Sequence, residues 1–299
     1  MDYKKIFKNK QARVRFLNHL GFLPDKLLLK IEYRIKTGEK LNLKNPILFT
    51  EKLQWLKLND RKDIYTTMVD KFAMKKFVAD RVGEEYVVPL LGCWNKFEDI
   101  DFDVLPQQFV LKCTHDSGSI IFCHNKETFD KDFAKKSIDQ HLRTSAYKLG
   151  REWPYKNVPR KIIAEKMLFD SNNSDIKDYK WFCFNGQPKV MYISNDKGAD
   201  PRTDFFDMEF NHLPITMKDP NAEIIPEKPV CFNEMYQIAA KLSEGCPHLR
   251  VDFYLIGTQI YVGELTFFHN SGFTPISPKE WNLRMGDWID LSIINKNKA

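Results

Sequence analysis

Two pairs of alternating segments, each closed by a two-residue turn, restrict this chain more than any other feature of its sequence. Asp178–Phe184 and Pro188–Ser194 flank Asn185-Gly186, and residues 249–256 and 259–265 flank Gly257-Thr258. Such dipeptides supply the positive-φ positions that tight hairpins need, so both pairs are expected to run antiparallel. A third hairpin is expected upstream, where the buried strand Gln108–Cys113 meets a small polar turn, Thr114–Ser119, and returns as Ile120–Cys123. Tyr86–Leu91 and Pro159–Leu168 read as further strands. The first sixty residues have helical character, with Thr50 expected to cap a helix that starts at Glu51, faces the core with Leu53, Trp55 and Leu56, and stops at Asn59-Asp60. A second helix is expected between Asp70 as N-cap and Gly83 as terminator, with Phe72, Phe77, Val78 and Val82 as core positions, and others near 127–149 and 233–244. Helices first and hairpins later point to an α+β fold, not an alternating parallel sheet.

Composition narrows the function classes. With 299 residues, 43% hydrophobic residues and 23 Phe, the chain can build a sizeable core and is not disordered. The net charge is +6, from 46 basic and 40 acidic residues. That suits acidic substrates such as nucleotides or uronic acids and gives no reason to expect a nucleic-acid partner. No apolar run approaches a membrane span, and Met1 to Lys5 lack the apolar block of a signal peptide, so a cytoplasmic protein is expected. Residues 4–15 carry six Lys or Arg interleaved with Ile6, Phe7 and Val14. They form either a solvated basic helix or a contact with the inner face of the cell membrane. The six cysteines (93, 113, 123, 183, 231 and 246) show no C-x-x-C pair and read as reduced core thiols.

Several residues can carry chemistry. A lysine ending a strand before a small-residue turn puts an ammonium beside open backbone N–H groups, which suits a polyphosphate. Lys112 with Thr114, Ser117, Gly118 and Ser119 fits that description, and an ordinary hairpin is the alternative. On the last hairpin, period-two alternation puts Arg250 and Asp252 on one face, and likewise Glu264 and Thr266. Pairing can bring Asp252 and Glu264 together among apolar neighbours, where an all-oxygen pair of carboxylates calls for a cation such as Mg²⁺. A plain Arg250–Asp252 surface ion pair is the other reading. Asp178 and Lys180 also share a face. Glu165, Lys166, Met167 and Leu168 end a strand with a mixed segment able to meet a flat base edge through its backbone. Trp153, Trp181 and Trp281 can form either a sugar platform or core, and Arg202 either grips an acidic acceptor or sits in a surface loop. No Walker A, nucleophile-elbow or G-x-G-x-x-G pattern occurs.

Taken together, Phe49–Leu56, Asp70-Lys71, Val87–Gly92, Phe109–Lys112, Arg151-Glu152-Trp153, Asp178–Gly186, Arg250–Tyr254 and Gly263–Phe267 resemble the ATP-grasp superfamily, and within it the TupA-like group of bacterial surface-polysaccharide proteins. The resemblance covers about residues 48–288. It implies a mostly helical N-terminal lobe (1–105), a lid subdomain (106–168) and a C-terminal subdomain with the metal site (169–299), with ATP sandwiched between antiparallel α+β lobes. It implies that Lys112 meets the nucleotide phosphates, that the Thr114–Ser119 loop closes over them, and that Glu165 to Leu168 form the adenine hinge. Lys71 and Lys180 would be further phosphate-side lysines, with Asp178 beside the nucleotide. Arg250 would neutralise the transferring phosphoryl group, with Lys180 assisting, while Asp252, Glu264 and Thr266 would hold Mg²⁺. Thr266 stands where many superfamily members carry Asn.

The implied activity is an ADP-forming carboxylate–amine ligase working through an acyl phosphate. The polysaccharide context suggests an amino acid or amino alcohol joined to a uronic-acid sugar of a capsule or O-antigen. A sugar kinase on the same fold, a glycosyltransferase and a non-catalytic assembly scaffold are the competing expectations.

Overall fold

A computed structural model of the protein describes residues 20–148, 150–169, 177–195 and 201–296. The basic segment 4–15 lies outside them. The helices are α1 (Asp25–Thr37), α2 (Phe49–Asn59), α3 (Ile64–Val69), α4 (Ala73–Val82), α5 (Lys131–Arg143), α6 (Phe232–Ser243), α7 (Lys279–Asp287) and α8 (Ser292–Lys296). Strands β1 (Leu90–Trp94), β2 (Phe109–Cys113), β3 (Ile121–Cys123) and β4 (Ile162–Lys166) form one antiparallel sheet in the order β1-β4-β2-β3. Strands β5 (Asp178–Phe184), β6 (Gln187–Asn195), β7 (Arg202–Phe206), β8 (His212–Leu213), β9 (His248–Ile256) and β10 (Gln259–Thr266) form the other, in the order β10-β9-β5-β6-β7-β8. The architecture is α+β, and all three expected hairpins pair as the sequence dictates.

Each sheet has its own core. Phe109, Leu111, Cys113, Ile162 and Ala164 of the small sheet pack with Phe97, Ile100, Ala134 and Ile138. The edge strand β1 precedes residue 105 in the chain and still belongs to this sheet. In the large sheet, alternation divides β5 and β9 between two faces. Trp181, Cys183, Leu249, Val251 and Phe253 are fully buried and share a core with Phe232, Met235, Ala239 and Leu242 of α6. The opposite face changes character along its length. At one end Phe182, Phe184 and His248 pack around Phe49 of α2, with ring centroids 5.1–6.3 Å from it. At the other end Lys180, Arg250 and Asp252 continue the same alternation as charges, so the core face leads directly into a polar site.

Three local expectations are corrected. Thr50 does not cap α2. Helix α2 begins at Phe49, and the Glu51 carboxylate reaches back to accept from the Ile47 and Leu48 amides (3.1 and 3.2 Å), while Thr50 shares its hydroxyl with Tyr33 and Asn282. Phe72 precedes the first turn of α4 and is exposed, because the Asp70 side chain accepts the Phe72 amide and holds that turn outward. Strand β1 starts at Leu90, not Tyr86, because Pro89 has no N–H for the ladder and offers only its carbonyl, to Lys166 N at 2.9 Å.

Burial of His248 has a consequence for acid stability. Desolvation pushes its pKa down to about 4. Its Nδ1 lies 2.8 Å from the Phe267 carbonyl, which fixes the neutral Nδ1–H tautomer. The unfolded imidazole takes up a proton near 6.5 and the folded one only near 4, so stability falls as pH drops through that window, by roughly 3 kcal/mol in full. His248→Gln, which keeps an N–H for Phe267, is expected to flatten the plot of melting temperature against pH between 6.5 and 4. An unchanged slope would assign the acid sensitivity elsewhere.

Candidate active site

A one-residue irregularity builds the charged end of the large sheet. Counting outward from the Gly257-Thr258 turn, the register runs Phe253 opposite Val262 and would next place Gly263 opposite Asp252. The ladder slips by one residue there, so Glu264 faces Asp252 instead. Gly263 permits the slip, since a Cβ at that position would stand 2.7 Å from the Tyr254 ring. The bulge thus brings the two carboxylates together, and Gly263 is its signal in the sequence.

Arg250 organises the group. Its Nε and Nη2 each donate to one Asp252 oxygen at 2.6 Å, Nη2 also donates to Thr266 Oγ1 at 3.1 Å, and Nη1 meets His269 Nδ1 at 2.6 Å. Glu264 lies 4.0 Å from Nη2. Lys180 sits 3.4 Å from Asp178 and 3.9 Å from Asp252. The Arg250–Asp252 pair is buried, not a surface ion pair. Burial would discharge Arg250 and Lys180, but the Asp252 carboxylate outweighs it and raises both pKa values. His269, buried beside Arg250 and Lys180, is held neutral by desolvation and by their charge. It therefore accepts from Arg250 through Nδ1. His269 is a member of this cluster that the sequence does not reveal.

On the small sheet a buried Glu165 joins two ammoniums, Lys75 at 2.5 Å and Lys112 at 2.6 Å. Burial alone would raise the Glu165 pKa, and the two lysines override it and hold it below the usual range. Desolvation lowers that of Lys75, which also donates to Val88 O at 2.7 Å. Lys75 is absent from the sequence-based site. It sits on α4, four residues after Lys71, which lies in the turn that precedes the helix.

The Thr114–Ser119 loop divides into anchors and open positions. Thr114 is fully buried, and its hydroxyl donates to Pro159 O at 2.6 Å and accepts from Lys161 N at 3.0 Å. Ser119 is buried too, accepting from Cys113 N at 2.9 Å and donating to Asp116 at 2.5 Å. The Thr114 hydroxyl thus ties the loop to the segment before β4, and the Ser119 hydroxyl holds the loop itself. Ser117 and Gly118 are exposed, and Gly118 has φ +96°. Lys71 Nζ donates to the Asp116 carbonyl, and the Asp116 carboxylate meets His141 Nδ1, tying the loop to the turn before α4 and to α5. In the expected hinge, Met167 is buried, Leu168 half-buried, and the Lys166 side chain exposed.

Between the Arg250 cluster and the Thr114–Ser119 loop lies a cavity of about 640 Å³, and Lys71, Lys75, Lys112 and Glu165 do not line it. Ser117, Lys180, Arg250, Glu264 and Thr266 line it, together with Lys36, Glu152 and Lys218, which sequence reading does not assign. The Phe and Tyr rings on its wall are Tyr155, Tyr192, Phe205 and Phe268, and none of the tryptophans lines it. Trp181 is core, Trp281 packs on Trp288 at 6.4 Å, and Arg202 donates to Asn221 O at 3.0 Å.

The family described as TupA-like ATPgrasp matches residues 51–290. The chain belongs to the TupA-like ATP-grasp family. No curated protein sequence matches it significantly. Among solved structures it is similar to N5-carboxyaminoimidazole synthetase from Staphylococcus aureus, at 14% identity over 67% of this chain and 44% of that one, with a TM-score of 0.41. It is also similar to a D-alanine–D-alanine ligase from Bacillus anthracis complexed with ATP, at 13% identity over 77% and 66% of the two chains, with a TM-score of 0.45. This TupA-like chain thus spans less than two thirds of either protein's length.

The donors of this TupA-like ATP-grasp chain fit Mg²⁺. Asp252, Glu264 and Thr266 offer only oxygen, and each Asp252 oxygen keeps a lone pair beyond the one that Arg250 engages. Thr266 already accepts from Arg250, which makes it the weakest of the three. Among the described residues no three His, Cys, Asp or Glu side chains converge, so phosphate oxygens and water would complete the coordination shell. Among the described residues no helix is long and apolar enough to cross a membrane.

Proposed function

We propose that this chain is an ATP-dependent carboxylate–amine ligase that joins an amino acid or amino alcohol to a uronic-acid sugar of a surface polysaccharide. The observation that carries the reading is the placing of Lys180, Arg250 and Glu264 on the wall of a cavity large enough for a sugar, with Asp252 paired to Arg250. In this reading Lys112 and Lys75 attract the phosphates, with Lys71 and the open Ser117-Gly118 edge of the loop beside them, and Glu165 to Leu168 bound the adenine pocket. Bound Mg²⁺ would neutralise charge on the β- and γ-phosphate oxygens. Asp252 and Glu264 would hold it. Arg250 and Lys180 hold positive charge where the transferred phosphoryl group meets the acceptor carboxylate. The aromatic wall and the threonine and serine hydroxyls give the sugar ring a face to stack on and partners for its own hydroxyls. Closure of the loop excludes water from a hydrolysable acyl phosphate.

Thermal shift with ATP, ADP and UDP-sugars, each with and without Mg²⁺, tests the assignment. ATP or ADP at a hundred times Kd is expected to add about 2.7 kcal/mol, a rise of roughly 4 °C for a chain of this size, and more with Mg²⁺ than without. Stabilisation by a UDP-sugar alone would replace the ligase with a glycosyltransferase.

A further inference from the structure

Two turns with left-handed backbone meet beneath the cavity. Gly150 and Arg151 have φ +83° and +53°, and Asn270, Ser271 and Gly272 have φ +47°, +57° and +64°. Non-glycine residues in this region are strained, and strain of this kind persists only where surrounding contacts hold it. Here the holder is Lys57, a fully buried ammonium that donates to Gly150 O at 2.7 Å, Ser271 O at 2.8 Å and Gln54 Oε1 at 3.0 Å. The turns approach so closely that a Cβ on Gly150 would stand 2.0 Å from Ser271 Oγ. Of the residues that this clamp presents to the cavity, Gly150, Glu152, Asn270 and Ser271, Glu152 alone is ionisable. Glu152 accepts from Ser271 Oγ through Oε1 at 2.6 Å, makes no ion pair, and its Oε2 has no hydrogen-bond partner among the described residues.

We propose that Glu152 receives the ammonium group of the amine substrate and takes its proton. The inference rests on the ligase reading above and adds a residue to it. A half-buried carboxylate with no cation in direct contact is costly, and a ligand ammonium supplies the missing partner. Lys57 does not fill that role directly, because it bonds to the Gly150 and Ser271 carbonyls and Gln54 and reaches Glu152 only through the Ser271 hydroxyl, at 3.3 Å from Oγ. Burial raises the Glu152 pKa, with Lys57 and Lys36 opposing and Glu264 adding to the effect, so the carboxylate is a stronger base than one in water. The step balances. One N–H proton passes from R–NH₃⁺ to Glu152, and the freed lone pair attacks the acyl carbon. The acyl C–O bond then breaks with its electrons leaving on phosphate, and the second N–H proton goes to that phosphate. The products are an amide, hydrogen phosphate and a neutral Glu152 carboxyl, which returns its proton to solvent.

Hydroxylamine separates this role from the rest of catalysis, because it is uncharged at neutral pH and needs no base. The full chain would be assayed with ATP, Mg²⁺ and glucuronate or galacturonate, against hydroxylamine and against a pool of amino acids with ethanolamine. Glu152→Gln keeps an oxygen for Ser271, so hydroxamate formation is expected to stay within about threefold of wild type while amide formation falls at least a hundredfold. Should that variant melt below the assay temperature, Glu152→Asp is read instead, with the same split expected from its withdrawn carboxylate. Equal retention of both products, or equal loss of both in a folded variant, overturns the role of Glu152 and leaves the ligase intact. Wild-type enzyme that makes hydroxamate but no amide from the pool has no ammonium site, which also overturns it. Wild-type enzyme that makes neither product overturns the ligase reading, and the role of Glu152 with it.

Discussion

Replacing Asp252 with alanine is expected to lower stability by about 3–5 kcal/mol and to cut ATP-dependent turnover by roughly a hundred- to a thousandfold. Both losses follow from the buried two-point pair with Arg250, whose Nε and Nη2 each lie 2.6 Å from a carboxylate oxygen. Without that carboxylate the guanidinium keeps only Thr266, neutral His269 and a distant Glu264, and Lys180 loses an anion 3.9 Å away. Two like charges would then share one wall of the cavity. Asp252→Asn is little better, because its amide nitrogen would face an Arg250 donor. Glu264→Gln is the contrasting variant. Its side chain is 30% exposed and only 4.0 Å from Arg250 at its nearest, so stability should change by less than about 1 kcal/mol. Turnover should still fall, and the Mg²⁺ needed for half-maximal rate should rise. Melting temperature, ADP release and a Mg²⁺ titration of the two variants measure all of this. Equal destabilisation by both substitutions would make Glu264 part of the ion pair and remove the case for a metal ligand there.

The hairpins were legible because period-two alternation and turn dipeptides are local signals, and Asp178, Lys180, Arg250 and Asp252 inherit their common face from that alternation. What was not legible depends on register or on distance along the chain. That Asp252 and Glu264 can pair was legible, but the slip at Gly263 that pairs them is not contained in a count of alternation. Lys75 reaches Glu165 across ninety residues of sequence, and Glu152 meets Ser271 across 119, so no local pattern announces either contact. Thr114 and Ser119 are ambiguous for the opposite reason. Small hydroxyl residues in a turn suit a phosphate and suit backbone capping equally well, and here they bond to the backbone and to Asp116. Aromatic residues carry the same ambiguity: Trp181 is core, while Tyr192, on the neighbouring strand, lines the cavity.

The lysine pair on the small sheet gives the second large effect, and its sign depends on which member is removed. Glu165 is a single buried anion between two ammoniums, so the cluster carries a net charge of +1 that a nucleotide phosphate can neutralise. Lys112→Ala brings that charge to zero while leaving Glu165 paired with Lys75. The protein should stay folded, and nucleotide affinity should fall about 10- to 150-fold, the equivalent of one lost charge-assisted contact. Glu165→Gln does the reverse. It strands two buried ammoniums 2.5 and 2.6 Å from a side chain that no longer carries charge, at about 3–5 kcal/mol in the nucleotide-free protein. Phosphate then becomes the missing anion, so saturating ADP should raise the melting temperature of Glu165→Gln by several degrees more than that of wild type. Calorimetric titration of ADP into Lys112→Ala and thermal shift of Glu165→Gln with ADP test the two halves separately. If ADP stabilises Glu165→Gln no more than wild type, the lysines do not face the phosphates, and the cluster is a buried ion-pair network that only holds α4 against the sheet.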